Sequence, residues 1–141
     1  MGAEVQILDV GYDETVIHAR SEAVRLADLS HEQKVLFIQD TTLENYWTIP
    51  KHIMQGYMTI FAEAWATGNL DAPDQTPTHV LLQVGVGTFS GGMSGFLVNK
   101  MKELKKEIKI ITVEPRGAHC VFRSHQMGDG ELHGNENKQI F

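Results

Sequence analysis

Blocks of apolar residues alternate with helical patterns along the chain, and the two periods can be told apart. Residues 4–8 (EVQIL) read as a short strand, and Gly11-Tyr12-Asp13 turns it into a helix with Val16, Ala19, Ala23 and Ala27 on one face. Residues 35–39 (VLFIQ) form a second apolar run, ended by Asp40-Thr41-Thr42. A polar and aromatic loop follows through Tyr46 and Trp47. Pro50 then suits the first turn of a helix whose stripe is Ile53, Met54, Tyr57, Ile60, Phe61, Ala64 and Trp65. Residues 68–77 (GNLDAPDQTP) are dense in turn formers and read as a linker. Val80, Leu81, Leu82 and Val84 predict a strand buried on both faces. Met93, Leu97, Met101 and Leu104 recur at helical spacing after it, residues 108–113 (IKIITV) give a further strand, and a last helix runs to about Met127. From Gly128 the tail is polar. Strands alternating with helices at this spacing predict an α/β fold, a parallel sheet layered with helices.

Between the strand at 80–84 and its helix lie Gly85, Gly87, Gly91 and Gly92, with Thr88 and Ser90 among them. Glycine lets a backbone take positive φ and approach a ligand closely. A helix N-terminus adds free N–H groups and the positive end of a dipole, so the run is a candidate anion site. A tight turn that binds nothing is the alternative. In parallel sheets ligands bind beyond the carboxyl ends of the strands, and Asp40 and Glu114 also stand at such ends. An acid there is also a common helix cap.

Composition narrows the partners. A net charge of −6 and no basic stripe beyond helix-surface lysines argue against nucleic acid. No apolar run reaches membrane length, and nothing resembles a signal peptide, so a cytoplasmic protein is expected. The single cysteine, Cys120, permits no internal disulfide and has no evident partner for nucleophilic work. His119, Cys120, His125 and His133 fit no tetrahedral spacing, and no metal is expected. Two cofactor chemistries suit the glycine run. Gly85-x-Gly87 followed by Gly91 approximates a dinucleotide fingerprint, off by one position, with Glu114 where a ribose-binding acid belongs. The other is the phosphate of pyridoxal 5′-phosphate, cradled by backbone N–H groups.

Residues 78–87 (THVLLQVGVG) with Gly91-Gly92 and Val113-Glu114-Pro115 resemble the phosphate-loop half of fold-type II pyridoxal-phosphate enzymes. Within that group Ile49-Pro50, Ile53-Met54-Gln55-Gly56-Tyr57, Tyr12-Asp13-Glu14-Thr15 and Gln39-Asp40-Thr41 resemble the diaminopropionate ammonia-lyases. The resemblance runs from about Gly2 to Ser124. It implies removal of both amino groups of 2,3-diaminopropionate to give pyruvate and ammonia, on a cofactor held as a Schiff base by a lysine. By the same resemblance Asp40 is an active-site carboxylate near the substrate α-carbon, and Gly85, Val86, Gly87, Thr88 and Gly91 form the phosphate cradle. Thr41 and Tyr12 are implied to line the substrate pocket, and the parent is expected to be a homodimer.

The family's Asn-x-x-Lys context and its Asp-Gly-Asn-His run do not occur here. The expectation is therefore a piece of a longer catabolic lyase that carries the phosphate loop without the Schiff-base lysine, inactive alone. Residues 1–48 are assigned to the family's small domain, 49–127 to its large one, and 128–141 to a polar tail. A threonine- or serine-dehydratase-like activity, a nicotinamide-binding module and a non-catalytic binding domain stay open as alternatives.

Overall fold

The computed structural model describes residues 2–29, 34–41 and 45–134. Six elements follow in order: α1 (Tyr12–Leu29), α2 (Thr48–Thr67), β1 (His79–Gln83), α3 (Thr88–Leu104), β2 (Lys109–Val113) and α4 (Cys120–Met127). β1 and β2 pair in parallel, in register from His79 against Lys109 to Gln83 against Val113, and α3 is the crossover between them. This βαβ unit is the organising piece of an α/β fold, as the alternation of patterns predicts.

Its core lies between the sheet and two helices. Trp65 of α2, Leu97 of α3 and Ile108 form the buried cluster, and Phe61, Val80, Phe96, Met101, Leu104 and Ile110 pack against it. Phe96 meets both Phe61 and Trp65 edge-on, with ring centres 6.0 and 5.7 Å apart. Pro50 lies in the first turn of α2, as its fixed φ favours, and is fully buried.

The stretch 68–77 is a chain of turns clasped to the body. Asp71 accepts from the Trp65 indole at 2.6 Å and from the Lys100 ammonium at 3.0 Å, and Lys106 Nζ donates to Pro73 O and Thr76 Oγ1. The Lys100 ammonium, then the Trp65 N–H, hold the Asp71 carboxyl below its ordinary value.

Three expectations are corrected. Residues 4–8 and 35–39 run extended but form no strand, with Val5, Ile7, Leu36 and Ile38 exposed. A strand is a pairing, and neither run finds a ladder among the described residues. The stripe on α1 is thinner than its pattern suggests, since Val16 is its one buried residue. β1 is not buried on both faces: Leu82 is 2% exposed but Leu81 is 64% exposed, because helices cover only one face of the sheet. Thr42 and residues 135–141 lie outside the described residues.

Candidate functional site

The loop after β1 meets α3 at Gly87, which takes the N-cap position with φ 95°. A side chain there would be strained, so the turn itself requires this glycine. No side chain caps the helix and no acidic residue sits in its first turn. The first amide to be used is that of Gly91, which donates to Gly87 O at 2.8 Å. Thr88, Phe89 and Ser90 thus present their N–H groups at the open end of the helix. Ser90 Oγ donates back to Gly87 O at 3.1 Å and does not cover that end.

The four glycines divide by what surrounds them. A β-carbon on Gly92 would lie 2.5 Å from the carbonyl oxygen of Met54, and one on Gly91 would lie 3.3 Å from the Met54 methyl. These two let α3 pack closely on α2. A β-carbon on Gly85 or on Gly87 would meet nothing within 4 Å. Gly85 moreover has no positive φ. Among the described residues nothing demands a glycine at Gly85, and a β-carbon there would face open space, three residues before the uncapped amides of α3. Val86, next to it, is 43% exposed.

Asp40, distant in sequence, lies against this loop. Thr88 Oγ1 donates to the Asp40 carbonyl at 2.7 Å. Around Asp40 a polar group assembles: Gln39 Nε2 donates to Tyr12 Oη at 2.9 Å and to Thr41 Oγ1 at 3.2 Å, and the Tyr12 and Thr41 hydroxyls bond each other at 2.8 Å. Tyr46 braces the segment, accepting from the Gln39 amide and donating to Phe37 O, both at 2.9 Å. The structure therefore brings Tyr12 and Thr41 together beside Gln39, and sets the Asp40 backbone against Thr88 at the start of α3. The roles of Gln39 and Tyr46 are not assigned from sequence. A polar residue closing an apolar run was the visible signal for Gln39, and Tyr46 offered none.

Glu114 acts as a cap. Its oxygens accept from the amides of Val121 and Phe122 at 2.9 and 2.8 Å, so both are spent on the first turn of α4. Cys120 sits between the two loops, its thiol 3.7 Å from Gly85 O and 3.8 Å from Glu114 Oε1. Burial, then the Glu114 charge, pushes that thiol's pKa up, so it is no thiolate nucleophile at neutral pH. No cluster of His, Cys, Asp and Glu able to hold a metal occurs among the described residues. No helix among them is long and apolar enough to cross a membrane.

The family model for pyridoxal-phosphate dependent enzymes matches residues 1–136. The chain belongs to that family. A diaminopropionate ammonia-lyase of Salmonella typhimurium is 42% identical over 134 residues, which is 94% of this chain and 30% of that protein. The crystal structure of the Escherichia coli diaminopropionate ammonia lyase with an aminoacrylate-PLP azomethine intermediate superposes with TM-score 0.74 at 40% identity, over 91% of this chain and 30% of that one. The same enzyme in complex with D-serine gives TM-score 0.76 at 38% identity, over 95% and 31%. The chain thus spans about 30% of the length of these relatives.

Membership in the pyridoxal-phosphate family agrees with the loop's chemistry. Backbone donors with no acidic residue in the helix's first turn, after glycines whose β-carbons would face open space, suit a phosphate monoester. The acid of the dinucleotide reading, Glu114, accepts one amide of α4 on each oxygen, and the family match favours pyridoxal phosphate over a dinucleotide.

Proposed function

We propose that this chain is the phosphate-binding segment of a pyridoxal-phosphate-dependent ammonia-lyase acting on 2,3-diaminopropionate. The carrying observation is Gly85, a glycine that neither backbone conformation nor packing requires, beside uncapped amides at the start of α3. In this reading Gly85, Val86 and Gly87 form the approach to the phosphate, and the amides of Thr88, Phe89 and Ser90 donate to it. Gly91 belongs to the same turn, but its amide is occupied by Gly87 O, so it serves through its lack of a side chain. Bound there, pyridoxal phosphate supplies an electron sink for cleavage at the substrate α- and β-carbons.

The chain's own residues supply position and proton transfer. Asp40 stands beside the cradle and is assigned to hold or move the proton of the substrate α-carbon. The triad of Tyr12, Gln39 and Thr41 has three internal hydrogen bonds and four polar hydrogens. Two amide hydrogens and one hydroxyl hydrogen are spent internally. One hydroxyl hydrogen remains, enough to orient a single acceptor on an amino-acid substrate. The lysine that bonds the cofactor is assigned to a part of the complete protein beyond these residues. Residues 1–48 are placed in its small domain, 49–127 in its large one and 128–141 in a polar tail. A cytoplasmic homodimer completes the reading.

The test is product release by the complete protein. With 2,3-diaminopropionate, pyruvate and ammonia should appear in a ratio of one to two, and Asp40→Asn should lower kcat by about a hundredfold or more. Pyruvate from serine but none from 2,3-diaminopropionate would transfer the assignment to a dehydratase.

A further inference from the structure

Thr88 stands in the first turn of α3 and is 6% exposed. Its hydroxyl has one hydrogen, and that hydrogen goes to the backbone carbonyl of Asp40 at 2.7 Å, across 48 positions of sequence. The hydroxyl is therefore not a donor to a phosphate, although the residue's amide still faces the helix opening. A threonine on a helix has two main rotamers, and the bond to the Asp40 carbonyl selects the one seen here. One residue thus presents an amide to the cradle and a strut to the loop that carries Asp40. That loop is closed in turn by the Tyr12–Gln39–Thr41 triad and by Tyr46. Asp40 belongs to a segment with no strand ladder among the described residues, so this bond and the side-chain bonds of its neighbours hold it.

We propose that Thr88 is a positioning residue that couples occupancy of the cradle to placement of Asp40. The proposal rests on the phosphate-cradle reading above. An anion on the Thr88 amide orders the first turn of α3, and the hydroxyl passes that order to residues 39–41. Linkage makes the effect reciprocal: whatever fixes the Asp40 loop also tightens the cradle.

The experiment is amide hydrogen exchange on the complete protein, with inorganic phosphate and pyridoxal phosphate as probes. Wild type is compared with Thr88→Val, which keeps the shape without the hydroxyl, and with Thr88→Ser, which keeps the hydroxyl. In wild type and Thr88→Ser, both probes should slow exchange in residues 85–90 and also in 37–41. In Thr88→Val the slowing at 85–90 should persist while 37–41 exchanges about tenfold faster and ignores the probes. The same variant should lower kcat about tenfold, and its affinity for pyridoxal phosphate should fall only by the factor by which the probes slow exchange at 37–41 in wild type, as reciprocity requires. If valine prevents folding, Thr88→Ala supplies the hydroxyl-free comparison without an apolar methyl against the carbonyl.

Protection of 37–41 by the probes in both hydroxyl-free variants would overturn the coupling and leave the cradle standing. No protection of 85–90 in wild type would overturn the cradle, and the coupling with it.

Discussion

Gly85 and Gly92 belong to one glycine-rich run, yet they answer to different neighbours. Gly92 is buried, and a β-carbon on it would press to 2.5 Å from the Met54 carbonyl, so α2 and α3 could no longer meet as they do. Gly85 is exposed, and a β-carbon on it would meet nothing within 4 Å. Gly92 is explained by the fold and Gly85 is not. Counting glycines before a helix therefore overstates a phosphate site, and separating packing glycines from open ones restores its meaning. In this chain the open pair, Gly85 and Gly87, precedes α3, and the packing pair, Gly91 and Gly92, lies inside it.

Substitutions at the glycines sharpen this contrast. Gly92→Ala should cost about 3 kcal/mol of unfolding free energy, the range of an overpacked core, because its obstacle is backbone rather than a flexible side chain. Urea titration of the complete protein checks it, and a loss under about 0.5 kcal/mol would mean that α2 and α3 are less closely packed than described. Gly87→Ala should cost about 1 kcal/mol through its φ of 95° alone, since the added carbon meets nothing.

The smallest effect concerns the clasp of residues 68–77. Asp71 titrates below its ordinary 3.8 and Lys100 above its ordinary 10.5, each raised or lowered first by its hydrogen bond to the other. A depressed carboxylate stabilises the fold above the unfolded value and loses that contribution as pH falls through the folded one. A raised ammonium does so below 10.5 and loses it as pH rises through its folded value. The clasp should be indifferent to pH near neutrality and weaken below about pH 4. Asp71→Asn should lower the thermal midpoint at pH 7 and converge with wild type in acid. A constant gap down to about pH 2 would contradict the assignment.

Sequence carried the βαβ unit well because its signals are local. An apolar run, a break at glycine and a 3.6-residue stripe through Met93 and Leu97 each state their own structure, and the structure buries both side chains completely. Residues 4–8 and 35–39 carried the same apolar signal and formed no strand, since pairing depends on partners that no local pattern names. The site was half legible. Asp40, Thr41, Tyr12 and the loop were named through their resemblance to a family; in the structure the Tyr12 and Thr41 hydroxyls bond each other and the Asp40 carbonyl accepts from Thr88. What a residue does with its hydrogen was not readable. Thr88 spends its hydroxyl on Asp40, Glu114 spends both oxygens on α4, and Gly91 spends its amide on Gly87, all through tertiary or helical geometry.

Gly85→Ala in the complete protein puts the central claim to its most direct test, with unfolding and pyridoxal phosphate titration run on one preparation. Stability should hold or rise by about 0.5 kcal/mol, as expected where an added methyl meets no obstacle and the unfolded chain loses freedom. Affinity for pyridoxal phosphate should fall about tenfold, close to 1.4 kcal/mol. Unchanged affinity would contradict the account, because the open glycine would then be serving no phosphate.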